Sequence, residues 1–550
     1  MKYIKYLFVL FIVFSACKEE PKITEKPVKW TAYDESAELT EQAKHEKPRM
    51  RFKLLNSKVT DKNTFWNAFE EELSTFGNAK YESLKPLIIE KNIPELQTAI
   101  KNNQLTYEEL TLFYLYRIRK FESDNSLSLN AITALNPKVI EEARKKDLEK
   151  KNAAVNSLFG MPVLLKDNIG AAGMPTTAGA VILKDNYTDD AFITTKIKET
   201  GALILGKLNL SEWAYYFCSG CPLGYSAVGG QTLNPYGRKV FETGGSSSGS
   251  GVAVAANYAV VAVGTETAGS ILSPSSQNSV VGLKPTIGVL SRTGIVPISS
   301  TLDTPGPMTK SVIDNAIFLN AMSGEDITDA ASVETDKVDL EKITSATLKG
   351  KKLGVLKSLL ENEIYSATVK KLKAQGAEII EFDPEGAQLE GFLTLLNIDM
   401  KNDLPAYMEA YAKESTTAKT VKDVVAFNLQ DTLVRAPYGQ QLFEGIVKDS
   451  TTLEELAIIK QKLQTASRKM FDAGLDTHNL DAVLSINNYH AAYAAVAKYP
   501  CLTVPMGYQE SGEPISLTFI GKPFTEHKLL ELGFAFEKAT KVRKSPENYQ

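Results

Sequence analysis

Histidine and cysteine are scarce in this sequence, with four of each in 550 residues. Cys218 and Cys221 form a lone C-x-x-C, and a zinc site there needs further ligands. The only histidines are His45, His478, His490 and His527, so the supply of ligands is thin and no metal is expected. In an oxidising compartment the pair fits a local disulfide, and two small packed thiols fit equally well. Neither sign of charge is in excess: 62 Lys and Arg stand against 66 Asp and Glu. That balance gives no basic surface for nucleic acid. Beyond residue 300, LKGKKLGVL, SATVKKLKAQG and AEIIEFD suggest a strand–helix–strand unit. No G-x-G-x-x-G or P-loop opens its helix, which excludes a nucleotide site there. Internal repeats, low-complexity blocks and Pro/Gly linkers are also missing from the last 460 or so residues. Length alone allows two or three domains, but without a boundary this part reads as one large α/β domain with an ample core.

Long apolar runs are limited to Tyr6 to Phe14, at the start of the chain. That run is too short for an ordinary membrane span. With Lys2 and Lys5 before it and small residues after it, residues 1–17 read as a secretory signal. Ser15-Ala16-Cys17 resembles a lipobox, which makes Cys17 the lipidated first residue of the mature protein; ordinary cleavage beside a stray cysteine is the other reading. Lys18-Glu19-Glu20 lacks the Asp at the second mature position that marks inner-membrane retention, and it is similar to surface-export signals of bacterial lipoproteins. The expected location is the outer membrane, facing the periplasm or the cell surface. Residues 18–60 are charged, carry Pro21, Pro27 and Pro48, and read as a flexible tether. Residues 61–85 form a helical lead-in through NTFWNAFEEELSTF, whose aromatic stripe suits core packing. Residues 86–550 are left as the main domain.

Within that domain the chain is organised around residues 244–285, GGSSSGSGVAVAANYAVVAVGTETAGSILSPSSQNSVVGLKPT. A Gly/Ser loop leads into small, helix-compatible residues from Val252 to Asn257. The β-branched run Val260 to Val263 suits a buried strand, and a second Gly/Ser turn follows at Gly264 to Ser270. A helix of about ten residues travels roughly 15 Å, and a strand of about five returns roughly 17 Å. The two loops therefore end side by side, with Ser246 near Ser270 and Gly269 freeing the backbone. Peptide N–H groups at such a turn can hold an oxyanion. A flexible linker is excluded, because linkers do not enclose AVVAV. Upstream, MPVLL is a short buried strand that delivers Lys166 to the start of another Gly-rich loop. Taken alone, a lysine there is most simply a snorkelling surface residue. A lysine acts as a base only when neutral, and burial lowers its pKa from about 10.4 by several units.

GGSSSGSG, GTETAGSI and GLKPT, with GMPVLLKDN upstream, resemble the signature of the amidase signature family. The resemblance runs from about residue 86 to 545 and is sharp between 160 and 290. It implies an α/β fold, a large mixed β-sheet flanked by helices on both faces. It also implies amide hydrolysis by a Ser–Ser–Lys triad through an acyl-enzyme. Lys166 falls on the family's base, Ser246 on its bridging serine and Ser270 on its nucleophile. Thr267, Ala268 and Gly269 fall on the oxyanion turn, and the peptide bond before Ser246 is expected to be cis. No metal or organic cofactor is implied. NLSEWA, GYSA-x-GGQ, NPY and Glu266 are similar to the branch that includes peptide amidases. Ala268 and Leu272 depart from it, where an acidic residue and an arginine are common. The expected partners are a small or peptide amide and, through Cys17, a membrane. A transamidosome subunit shares the fold, but an exported lipoprotein does not meet charged tRNA.

Other chemistries compete. Gly245-x-Ser247-x-Gly249 fits a nucleophile elbow, with Ser247 as nucleophile and His490 or His527 as base. An S-x-x-K site occurs only as Ser15 to Lys18, across the signal cleavage point. A non-catalytic surface lipoprotein built on the same fold is the remaining alternative; loss of Lys166, Ser246 or Ser270 would favour it, and all three are present.

Overall fold

The computed structural model describes residues 28–150, 153–384, 386–413 and 416–550. Its centre is an eleven-stranded mixed sheet. In spatial order the strands are Ile132–Leu135, Leu203–Leu208, Pro162–Lys166, Val261–Glu266, Thr304–Thr309, Val281–Lys284, Cys501–Tyr508, Pro514–Ile520, Ala482–Ile486, Lys352–Leu356 and Glu378–Phe382. The pairs Leu203–Leu208 with Pro162–Lys166 and Pro162–Lys166 with Val261–Glu266 are parallel. So are the pairs that join Lys352–Leu356 to Ala482–Ile486 and to Glu378–Phe382. The strand–helix–strand reading of residues 350–382 therefore holds, with helix Glu363–Ala374 between the two strands. Helices flank the sheet, Val312–Met322 on Thr304–Thr309 and Glu526–Thr540 on Cys501–Tyr508 among them. The central strands are apolar and closed to water: Val163, Leu164, Leu165, Val261, Ala262 and Val263 are all 0 % exposed. Such continuous burial is what parallel strands covered on both faces require.

The first helices start where side-chain chemistry dictates. Asn92 with Glu95 and Thr106 with Glu109 close reciprocal capping boxes ahead of Ile93–Lys101 and Tyr107–Glu122, satisfying amide groups that no helical carbonyl reaches. The lead-in forms a short 3-10 turn, Lys62–Trp66, and a helix, Glu70–Ile88, bent at Gly77. Its aromatic stripe is core: Trp66, Phe69 and Phe76 are buried.

The flexible tether expected over residues 18–60 is corrected for residues 28–60, which fold against the main domain. Met50, Phe52 and Leu55 are buried. The Glu35 carboxylate accepts the N–H groups of Leu55 and Asn56, and the Leu55 carbonyl accepts from Gln231 N. Averaged composition hides this, because three apolar anchors suffice to hold a charged segment. Residues 1–27, with the signal and Cys17, lie outside the described residues. Among the described residues no helix is long and apolar enough to cross a membrane.

A second apolar cluster joins Trp213, Phe217 and Leu302 to Leu404, Tyr407 and Phe443, among others. It seats the helices between residues 392 and 475 over one edge of the site. Cys218 and Cys221 belong to it and form a disulfide, while Cys501 is free and buried.

Candidate active site

The site is assembled by strand register. Pro162–Lys166 and Val261–Glu266 run parallel, with Leu165 opposite Val263, so both chains leave the sheet at the same edge. Lys166 therefore ends beside Thr265. Its Nζ lies 3.1 Å from the Thr265 carbonyl and 2.8 Å from Thr265 Oγ1. The third neighbour of Nζ is Ser246 Oγ, at 2.7 Å. Asn168 Nδ2 donates to the same Thr265 hydroxyl and steadies it.

Ser246 comes to this point from the loop before helix Ser248–Ala255, which packs on Val261–Glu266. The Gly245–Ser246 peptide bond is cis. The Ser246 carbonyl accepts from Ser211 N, and Ser247 N donates to the Ser270 carbonyl at 3.2 Å. The two Gly/Ser loops are therefore side by side, as the helix-and-strand geometry predicts. A side chain at position 245 would run into Ser211 Oγ at 2.6 Å, so glycine is what lets this loop close.

Lys166 is wholly buried and no carboxylate lies within ion-pair reach among the described residues. Desolvation lowers its pKa to about 7, against the smaller upward pull of Asp303 and Glu266. A neutral amine is thus available near neutral pH. Ser246 is also wholly buried, while Ser270 is half-exposed. The Ser270 hydroxyl makes no hydrogen bond among the described residues, and it is not bonded to Ser246 in this structure. Catalytic hydrogen bonds are often long before substrate binds.

The turn that carries Ser270 is built on two carboxylates. Glu266, buried, accepts from Ile271 N at 2.7 Å and Leu272 N at 2.9 Å, and the Gly269 N–H also faces it. Asp303 takes the Thr267 hydroxyl at 2.5 Å and the N–H groups of Ile298 and Ser299. Gly269 adopts φ 103°, a conformation strained for any residue with a Cβ. Of the three amides expected at the oxyanion turn, Gly269 is thus drawn toward Glu266. Those of Thr267 and Ala268, with Ser270, have no partner among the described residues. Free N–H groups so placed can take a developing negative charge.

Ser247 is overturned as a nucleophile. It is wholly buried, donates to the Thr265 carbonyl at 3.0 Å and accepts from Thr265 N at 3.1 Å. It clamps the loop to the strand. His490 pairs with Ser485 instead, and His527 lies in a separate polar cleft with Asp336 and Glu526.

A cavity of about 400 Å³ adjoins the site, lined by Asn168, Thr265, Thr267 and Asp303 on one side and by Asp403 and Tyr407 on the other. Thr265, Asp303 and Asp403 escape sequence reasoning. Thr265 and Asp303 stand in GTET and TLDTPGPM, whose spacing signals no partner, and Asp403 sits in an ordinary helical pattern.

A model of the amidase family matches residues 109–485. The chain belongs to the amidase family. The amidase is accordingly a hydrolase of amide C–N bonds. A probable amidase of Arabidopsis thaliana is 36% identical over 482 residues, covering 84% of this chain and 92% of the relative. The crystal structure of an amidase family protein from Bacillus anthracis is similar with a TM-score of 0.84 and 38% identity, over 90% of this amidase and 100% of that chain. The peptide amidase of Stenotrophomonas maltophilia is similar with a TM-score of 0.78 and 35% identity, over 84% and 99% of the two chains. The α/β architecture with its large mixed sheet is the fold of these neighbours.

Proposed function

We propose that this amidase hydrolyses peptide-like or small amides with a Ser270–Ser246–Lys166 triad, through an acyl-enzyme and with release of ammonia or amine. The observation that carries this reading is the buried Lys166 amine at 2.7 Å from Ser246 Oγ, without a carboxylate to hold it charged. Neutral Lys166 accepts the Ser246 proton as Ser246 takes that of Ser270. Ser270 Oγ bonds to the amide carbonyl carbon, and the amides of Thr267 and Ala268 receive the oxyanion. The C–N bond then breaks, and the departing amine takes the proton back through Ser246. Water repeats the sequence on the ester, and the acid leaves. The likeness to a peptide amidase supports peptide-like substrates.

The pH dependence tests the base. Below pH 7 Lys166 is protonated and cannot accept; above it, the amine is free. The kcat/KM for a primary amide should rise with pH and level off near pH 7, the value to which burial lowers Lys166, because kcat/KM reports the free enzyme's groups. A profile that stays level across that point would remove Lys166 as the base. Hydrolysis is read by direct assay of ammonia.

We further propose that lipid on Cys17 anchors the protein in the outer membrane, facing the periplasm or the cell surface, with residues 18–27 leading to the folded part. The run of lysines, apolar residues and Ser15-Ala16-Cys17 supports this. Cys17→Ser should shift the expressed chain from the membrane fraction to the soluble one and abolish incorporation of labelled fatty acid. Unchanged labelling in Cys17→Ser defeats the anchor.

A further inference from the structure

The cavity beside the triad has a charge asymmetry that amide hydrolysis does not use. Four charged side chains line it: Arg292, Asp303, Asp329 and Asp403. Asp329 is committed to Arg292, with Nε at 2.9 Å and Nη2 at 2.5 Å. Asp303 is filled by Thr267 and two backbone amides. Asp403 is different. It takes the Ser300 N–H at 2.6 Å, and no ammonium or guanidinium lies within ion-pair reach of it among the described residues. Burial first, then Asp399 and Asp303, raise its pKa to about 6 against the hydrogen bonds from Ser300. Arg292 also feels its charge but is already engaged by Asp329. The cavity wall thus sets three carboxylates against one guanidinium, and Asp403 is partly dehydrated with no ion-pair partner of its own among the described residues.

Its helix supplies the rest of the surface. Within Phe392–Tyr411, the residues Asp403, Ala406, Tyr407, Ala410 and Tyr411 all line the cavity. This is the spacing of a single helical face. The rings of Tyr407 and Tyr411 lie 5.3 Å apart, centroid to centroid, with Ala406 and Ala410 beside them on the cavity wall. A carboxylate followed by two tyrosine rings is a surface that replaces the hydration of an organic cation, through a charge-assisted hydrogen bond and ring-face attraction.

We propose that Asp403, Tyr407 and Tyr411 form a subsite for a cationic group of the substrate, so that the preferred amides carry an ammonium or guanidinium. This rests on the amidase reading and gives it a substrate class. The cation is either the free α-ammonium of an amino-acid amide or a basic side chain.

The test is a ratio of kcat/KM values. Acetyl-lysinamide carries a side-chain ammonium, leucinamide an α-ammonium, and acetyl-leucinamide no charge. At least one cationic amide should exceed the neutral one by roughly tenfold or more in the wild-type protein, and which one does so identifies the source of the charge. In Asp403→Asn the ratio should fall to near one, and in Asp403→Glu it should be kept. A wild-type ratio of one or less, or a ratio that survives in Asp403→Asn, overturns the subsite. Binding to Ser270→Ala by calorimetry separates this from the hydrolysis reading. A preference of that variant for acetyl-lysinamide or leucinamide over acetyl-leucinamide, lost when Asp403→Asn is added, upholds the subsite even where no amide is turned over. Equal binding of all three overturns it.

Discussion

Ser270→Ala is expected to lower kcat/KM for a primary amide by on the order of 10⁴- to 10⁶-fold and to leave the melting temperature unchanged. The reasons lie in what the hydroxyl touches. Ser270 Oγ has no hydrogen bond among the described residues, so its removal strands no buried partner. The backbone of the turn is held by Glu266 through Ile271 N and Leu272 N, and truncation at Cβ leaves those bonds intact. The loss therefore falls on chemistry alone. Lys166→Met should cost nearly as much, and the double variant little more than either. Groups that act as one unit lose their effect together. What remains comes from binding and the free amides of the turn. Substantial activity in Ser270→Ala removes it as the nucleophile. Additive losses in the double variant show that Lys166 and Ser270 act separately.

The second large effect concerns stability. Asp167 and Lys207 form an ion pair at 3.3 Å, with 1% and 0% of their side chains exposed. Lys207 Nζ also donates to the Pro175 carbonyl, at 3.3 Å, to the Ile169 carbonyl and to Thr176 Oγ1. Asp167 takes the Thr177 hydroxyl and its N–H. Burial opposes the charge on both partners, raising the Asp167 pKa and lowering that of Lys207. The charge of each partner pulls the other back toward its ordinary value. Asp167→Ala leaves an ammonium buried without its counter-charge, and should cost about 3–5 kcal/mol. Lys207→Met strands the carboxylate and two carbonyls at a similar cost. The double variant should cost less than the sum, since neighbours in one network do not add. Urea unfolding at constant slope measures each loss. A change under about 1 kcal/mol in Asp167→Ala shows that the pair has no structural weight.

The two effects fall on neighbouring residues at the end of one strand, Lys166 as its last residue and Asp167 just beyond it. Lys166 points to the Thr265 and Ser246 side of the sheet and Asp167 to the Lys207 side, as successive residues leaving a strand must. Only the first is singled out from the sequence, through the family resemblance of GMPVLLKDN; the apolar strand and Gly-rich loop alone leave a snorkelling lysine. The partnership of Asp167 with Lys207 spans forty positions between two parallel strands and leaves no local trace. The Ser246–Ser270 neighbourhood was legible for the opposite reason. One helix and one strand of known rise separate the two residues, so their return can be counted in ångströms. The elbow reading of Ser247 failed because the G-x-S-x-G spacing cannot show which serine faces the strand. Thr265, through its amide and carbonyl, occupies that hydroxyl. The tether failed because its apolar anchors, Met50, Phe52 and Leu55, are too few to raise average hydropathy.

By itself the sequence determined the α/β class and the order of most elements near the site, and the family resemblance pointed to Lys166, Ser246 and Ser270 as candidate reacting groups. These depend on residue identity and on spacings no longer than one helix and one strand. The tertiary structure decided the rest: that burial lowers the pKa of Lys166, that Cys218 and Cys221 are joined, and that Asp403 lines the cavity without an ion-pair partner among the described residues. Each of these is set by what the surrounding chain excludes or brings near. Desolvation, disulfide bonding and charge balance are properties of a neighbourhood assembled from residues up to hundreds of positions apart, and no local pattern encodes them.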